Sequence, residues 1–268
     1  MTKLYLIPDP ARLPESAELA EEWGAAFEYN DFFSPAVLMD GEETARRIRM
    51  YRSLGRDTRR DTLHGAFFDV TVHSDDPEIR AVSEKRVRQS MAAARALEVR
   101  GVVFHTNFLP NFRLPSYRSA WAARNQDFFG KLLREFPEQE IYMENMFDEE
   151  PEPLLRLAAA MAGEGRFGVC LDYAHARVFG GDPAAWLRKL APYVRHMHIN
   201  DNDGLADLHL PVGEGIIDWR EYDALVRSLT PDATVLVETT GLERQRRSLA
   251  FMAREKLCPV FPKEDAPC

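Results

Sequence analysis

Seven residues able to hold a cation or move a proton fall at a near-regular interval along this chain: Glu28, His64, His105, Glu144, Asp172, His198 and Glu238. Successive members stand 26 to 41 residues apart, about the length of one strand-plus-helix unit of roughly 30 residues or more. Each ends, or nearly ends, a short apolar run of strand character: AAFE, DTLH, GVVFH, EIYME, FGVCLD, VRHMH and TVLVE. Glu144, Asp172, His198 and Glu238 end four consecutive runs. Three carboxylates brought to one point raise one another's pKa unless a cation neutralises them. A divalent metal (Mn, Zn, Co, Fe or Mg) resolves that conflict, and mixed oxygen and nitrogen donors suit it better than they suit Ca. A single acid at a strand end is most often a helix cap or a surface ion pair, but four in phase outweigh that reading.

The elements that must position these side chains can be read from the same periodicity. Strand-like runs recur at residues 3–7, 25–29, 61–64, 101–105, 140–144, 167–172, 194–199 and 234–238, with helix-like stretches between them. One of these, PEIRAVSEKRVRQSMAAARALEV, sets Ile79, Val82, Val87, Met91, Ala94 and Leu97 at helical spacing. Helix starts are expected at Asp182-Pro183 and Glu150-Pro151, with proline in the first helical position. Eight strands, each followed by a helical stretch, predict an α/β fold: a single (β/α)8 barrel over residues 1–256. The residues 257–268, rich in proline, read as a C-terminal tail. Polar residues at the C-terminal ends of barrel strands form a ring on its top face, where active sites of this architecture lie.

A second set of candidates surrounds the first. His175 follows Asp172 in LDYAH, and Asp207 and His209 make a D-x-H step. With His64 and His105, each is expected to orient a metal ligand, to contact substrate, or to ligate a further metal; one metal is expected and up to three are allowed. Gly213 and Gly215 are expected to let the backbone pass close to the site. His196 shares strand parity with His198 and reads as a core histidine one layer deeper. Cys170 reads as core, and His73 receives no role.

Bulk properties set limits. The 268 residues are 45% hydrophobic, with a net charge of −9 and three cysteines without metal-type spacing. That balance argues against a non-specific polyanion binder and suits a reducing compartment. With no signal-like N-terminus and no run of about 18 apolar residues, a cytoplasmic protein without membrane association is expected.

The pieces LHG (63–65), VFH (103–105), IYMEN (141–145), VCLDYAH (169–175), HMHINDND (196–203), DLHLPVGEG (207–215) and VLVE (235–238) occur here in order. Together they resemble the xylose-isomerase-like TIM-barrel superfamily over nearly the whole chain. That group includes sugar isomerases and epimerases, inosose dehydratase-like proteins and the endonuclease IV branch of abasic-site nucleases. In its epimerase branch a Glu, Asp, His and Glu at the ends of strands five to eight hold one divalent metal. The resemblance places these on Glu144, Asp172, His198 and Glu238, with Glu144 and Glu238 as the acid/base pair that moves a proton through an enediolate. It implies substrate contacts for His175 and Glu28, and a homo-oligomer, since relatives often pair.

The endonuclease IV branch holds three zincs with nine ligands, and all nine types have a counterpart: His64, His105, Glu144, Asp172, His175, His198, Asp207, His209 and Glu238. Against a nuclease stand the acids Asp148, Glu149, Glu150 and Glu152, expected on the rim where they would repel a phosphate backbone. Rim aromatics, Phe32, Phe33, Phe67, Phe68, Phe108, Phe112 and Phe147, suit a small substrate better than a duplex. Arg113 and Arg118 are basic exceptions, able to hold a sugar phosphate or a substrate carboxylate. No lysine near the ligands suggests a hydride shift, so carboxylate proton transfer is expected. The leading expectation is a metal-dependent isomerase or epimerase of a sugar, polyol or sugar phosphate, with nucleic acid disfavoured. A multinuclear zinc phosphoesterase acting on abasic DNA is the alternative.

Overall fold

The computed structural model describes residues 3–260. Eight parallel strands close into a barrel in chain order: β1 (Leu4–Leu6), β2 (Ala26–Tyr29), β3 (Thr62–His64), β4 (Gly101–His105), β5 (Glu140–Glu144), β6 (Phe167–Asp172), β7 (Val194–Ile199) and β8 (Thr234–Val237). β8 pairs back onto β1 through Tyr5 and Leu236, which leaves no open edge. Ten α-helices wrap the described barrel: α1 (Leu13–Trp23), α2 (Pro35–Met39), α3 (Gly41–Arg52), α4 (Pro77–Leu97), α5 (Pro115–Glu135), α6 (Glu152–Ala160), α7 (Tyr173–Gly180), α8 (Pro183–Leu190), α9 (Trp219–Leu229) and α10 (Leu242–Glu255). The single (β/α)8 barrel expected from the periodicity is the fold observed.

Local chemistry explains several boundaries. Asp76 caps α4 by accepting from the Glu78 and Ile79 amides, with Pro77 in the first helical position. Asp182 caps α8 in the same way before Pro183. α6 starts one residue later than expected, at Glu152, and Pro151 is the residue that precedes it. In α4 the helical stripe is only half used. Val87, Met91, Ala94 and Leu97 are buried, but Ile79 and Val82, in the first turns, are 50% and 55% exposed.

The main apolar core lies between the strands and the helices, as in parallel sheets covered by helices. Inside the barrel, Tyr5, Tyr142 and His196 pack face to edge and face to face beneath the top rim. Of the expected tail, Leu257 and Val260 are buried in the core, and residues 261–268 lie outside the described residues.

Candidate metal centre

The four strands β5 to β8 deliver their terminal side chains to one point. Ligand atoms of Glu144, Asp172, His198 and Glu238 all lie within 4.8 Å of one another, and all four residues are buried. Two further groups at the top face share that spacing: His64 with His105 and Glu144, and His175 with Asp207 and His209. Glu144 belongs to two groups. Its Oε2 lies 3.0 Å from His105 Nε2 and 3.5 Å from His64 Nε2, while its Oε1 lies 3.2 Å from His198 Nδ1.

Backbone contacts fix which nitrogen each histidine presents. His64 Nδ1 lies 3.0 Å from the Gly65 carbonyl, His175 Nδ1 lies 2.9 Å from the Asn145 carbonyl, and His209 Nδ1 lies 3.0 Å from the Glu238 carbonyl. A carbonyl can only accept, so each Nδ1 carries the proton and Nε2 is turned to the cluster. This is the arrangement in which an imidazole ligates metal with its remote N–H anchored. His198 is turned the other way: its Nε2 lies 3.1 Å from Glu28 Oε1 and its Nδ1 faces Glu144 and Glu238.

The carboxylates are equally prepared. Asp172 closes β6 and caps α7 with Oδ1, which accepts from the His175 amide at 2.6 Å. Its Oδ2, both Glu144 oxygens, Glu238 Oε2 and Asp207 Oδ1 are buried without hydrogen-bond partners. Buried acceptors are rarely left so. Burial, with Glu238 and Glu144 alongside, pushes the Asp172 carboxyl well above its usual range. Burial works against the charge of Glu144 too, but His198 and His105 hold it well below the ordinary value. His175 and His209 are desolvated, yet their carboxylate neighbours dominate: His175 is raised well above the ordinary histidine value and His209 to about 10. The donors thus fit divalent cations, which would relieve Asp172 and take the place of the histidine protons.

Most expected residues meet here. His64, His105, His175, Asp207, His209 and Glu238 line a cavity of about 280 Å³, together with Asn30, Phe33, Phe67, Phe68 and Met146. Glu28 does not reach it. It lies wholly buried below His198, accepting from Thr62 Oγ1 at 2.7 Å and facing His196 Nε2 at 3.2 Å. Arg113 is not brought to the cavity either, because its side chain is 75% exposed and pairs with Glu149. The acidic rim is corrected as well. Asp148 is buried and accepts from Thr106 Oγ1 at 2.6 Å, and Glu149, Glu150 and Glu152 pair with Arg113, Arg118 and Lys189. None of these four acids therefore stands as an unpaired rim charge, and the electrostatic argument built on them against a phosphate ligand weakens. Of the rim aromatics, Phe33, Phe67 and Phe68 wall the cavity, whereas Phe32 and Phe108 are core and Phe112 and Phe147 lie outside it. His196 is the core histidine expected, bonded to Thr234 Oγ1 at 2.6 Å. A built Cβ on Gly213 or Gly215 would strike Phe251 or Asp201, so these glycines serve the packing of their own loop.

Asn145 carries a role the sequence did not announce. Its amide oxygen accepts from the Asp172 amide and its nitrogen donates to the Asp172 carbonyl, both at 2.9 Å. The two strand ends that carry Glu144 and Asp172 are thereby locked together. Its place directly after Glu144 was the available signal.

The chain is thus a closed (β/α)8 barrel with clustered carboxylate and imidazole donors on its C-terminal face, where active sites of this architecture lie. The xylose isomerase-like TIM barrel family matches residues 17–255, and this chain belongs to that family. It is similar to the TTHB071 protein of Thermus thermophilus, in a structure soaked with ZnCl2, at 26% identity and a TM-score of 0.73 over 94% of this chain and 96% of that one. The protein MJ1311 of Methanocaldococcus jannaschii is 26% identical over 192 residues, which are 67% of this chain and 64% of that relative's length. A D-tagatose 3-epimerase-like protein shares the fold at 19% identity, with a TM-score of 0.71 over 93% of this chain and 96% of that one.

Proposed function

We propose that this chain is a divalent-metal-dependent isomerase or epimerase of a small sugar, polyol or sugar phosphate. The observation that carries the reading is Glu238. This carboxylate walls a cavity sized for a small molecule, has a free Oε2, and stands in the same donor group as Glu144. A bound cation would supply Lewis-acid polarisation of a substrate carbonyl and neutralise charge that develops on its oxygen. The remaining work belongs to the chain. Burial opposes its charge, but His198 and His209 keep Glu238 ionised, the protonation state a base needs to take the proton from the carbon beside that carbonyl. Glu144 is the second carboxylate, and return of a proton to the opposite face of the same carbon inverts it. Phe33, Phe67 and Phe68 exclude water from one wall and offer apolar rings to the flat face of a sugar. The test is exchange of substrate C–H for solvent deuterium across a panel of ketoses with Mn2+ or Zn2+. Exchange that Glu238→Gln abolishes supports the reading. No exchange with any ketose by metal-loaded protein counts against it.

A second reading rests on a different observation, the three neighbouring donor groups, two of which share Glu144. A site able to hold two or three cations suits hydrolysis of a phosphoester, and the cavity limits that substrate to a small molecule or a single extruded group. Metal-dependent release of p-nitrophenol from bis-p-nitrophenyl phosphate, lost in His209→Ala, would favour it over proton transfer.

A further inference from the structure

The third donor group hangs on an unusual segment. Residues 200–218 join β7 to α9 without a helix or strand of their own and carry Asp207 and His209, a length at which loops in compact domains are functional or disordered. This one is held from its root. Asp201, wholly buried, turns its carboxylate into the loop and accepts four hydrogen bonds. Oδ1 takes the amides of Asn202 at 3.0 Å and Ile217 at 3.2 Å; Oδ2 takes the amide of Gly213 at 3.0 Å and the indole Nε1 of Trp219 at 2.8 Å. Its backbone exchanges a pair of bonds with Leu210, one residue beyond His209. A Cβ on Gly215 would lie 2.2 Å from Asp201 Oδ1, so the far limb of the loop is packed directly on this carboxylate.

The end held so firmly is also the strained one. His209 has φ +45°, a left-handed conformation that costs a non-glycine residue energy. Its carbonyl accepts from Arg244 of α10 and its Nδ1 is anchored on the Glu238 carbonyl. In that pose Nε2 stands 3.0 Å from Asp207 Oδ2, which also faces His175 Nε2 at 3.2 Å.

We propose that Asp201 is the positioning residue that makes the group His175, Asp207 and His209 able to hold a divalent cation. The proposal rests on the reading of the site as a metal centre. The carboxylate uses all its acceptor positions on four N–H donors that converge from three points of the loop. An amide of the same size would aim its own N–H2 at two of those donors. The loop would then lose two bonds and gain a repulsion at its root, and the pose of His209 would no longer be enforced.

The test is Zn2+ content and affinity, by elemental analysis after dialysis and by chelator competition, for wild type, Asp201→Asn, His209→Ala and the double variant, each checked by circular dichroism. Wild type is expected to hold more zinc than His209→Ala, and Asp201→Asn is expected to fall to the His209→Ala level. The double variant is expected to fall no further. A merely structural role would lower zinc content in both backgrounds, and that additive loss overturns the proposal, as does a folded Asp201→Asn with wild-type zinc. Should Asp201→Asn fail to fold, Trp219→Phe removes one of the four donors and leaves the carboxylate. It is expected to weaken the third group by about tenfold, the lower end of effects from outer-shell partners, and wild-type affinity there overturns the proposal. Equal zinc in wild type and His209→Ala also overturns it, whereas the metal reading itself fails if folded wild type holds no metal or if Glu144→Gln and Glu238→Gln cost none.

Discussion

Glu28 Oε1 stands 3.1 Å from His198 Nε2, on the side of the ring opposite Glu144 and Glu238. The carboxylate is buried, and His198 with His196 holds it well below its usual range although burial opposes that charge. A carboxylate behind a ligating imidazole fixes its orientation and strengthens it as a donor.

Glu28→Gln should therefore lower affinity for Zn2+ or Mn2+ by about 10- to 100-fold without removing any ligand. Chelator competition on the folded variant checks this. Wild-type affinity would mean that β6 and β8 alone orient His198.

The pH dependence has a definite sign. In the metal-free protein His209 is raised to about 10, above an ordinary value near 6.5. The stability it contributes is full below about 6.5 and is lost as pH rises toward 10. A cation competes with that proton, so the gain in Tm on adding Zn2+ should be larger at pH 8.5 than at pH 6. Thermal melts with zinc or with chelator at both pH values measure the difference, and a larger gain at pH 6 would contradict the assignment of His209 as a ligand.

Gly65 follows His64 and donates its amide to Val103 O at 2.9 Å. A built Cβ there lies 2.2 Å from the ring of Phe104, which is itself buried. Gly65→Ala should cost about 1–3 kcal/mol through overpacking and displace His64 with it. The readouts are Tm and metal content, and an unchanged Tm would show that Phe104 yields freely.

Arg113→Ala should change little. The side chain is exposed and pairs with Glu149 across two loops, so stability should stay within about 0.5 kcal/mol, with metal content unaltered. A drop in turnover in this variant would place Arg113 against the substrate after all.

Much of this architecture was legible in the chain. Strand-end residues are set by local periodicity, and GVVFH, EIYME, FGVCLD and VRHMHI match β4 to β7 residue for residue. Helix caps such as Asp182 are similarly local. What escaped depends on contacts distant in sequence. Glu28 shares the pattern of the ligands, but parity along a strand does not tell the cavity floor from the layer beneath it. Asp148 reads as one acid in a charged run until Thr106, from the neighbouring β4 side, is seen to bury it. Asp201 looks like one polar residue in INDND, and its role emerges only when Gly213, Ile217 and Trp219 fold back upon it. Arg113 pairs with Glu149 away from the cavity for the converse reason: charge in a top-face loop says nothing of direction.

The most direct test of the metal centre is the number of divalent ions per chain in protein prepared with Zn2+ and Mn2+ present, compared with Glu144→Gln and Glu238→Gln. Glu144 contributes to two donor groups and Glu238 to one. Wild type should hold at least one ion per chain, with Glu144→Gln losing more than Glu238→Gln. Wild-type protein that is folded and metal-free under these conditions, or variants that keep the full complement, would contradict the account.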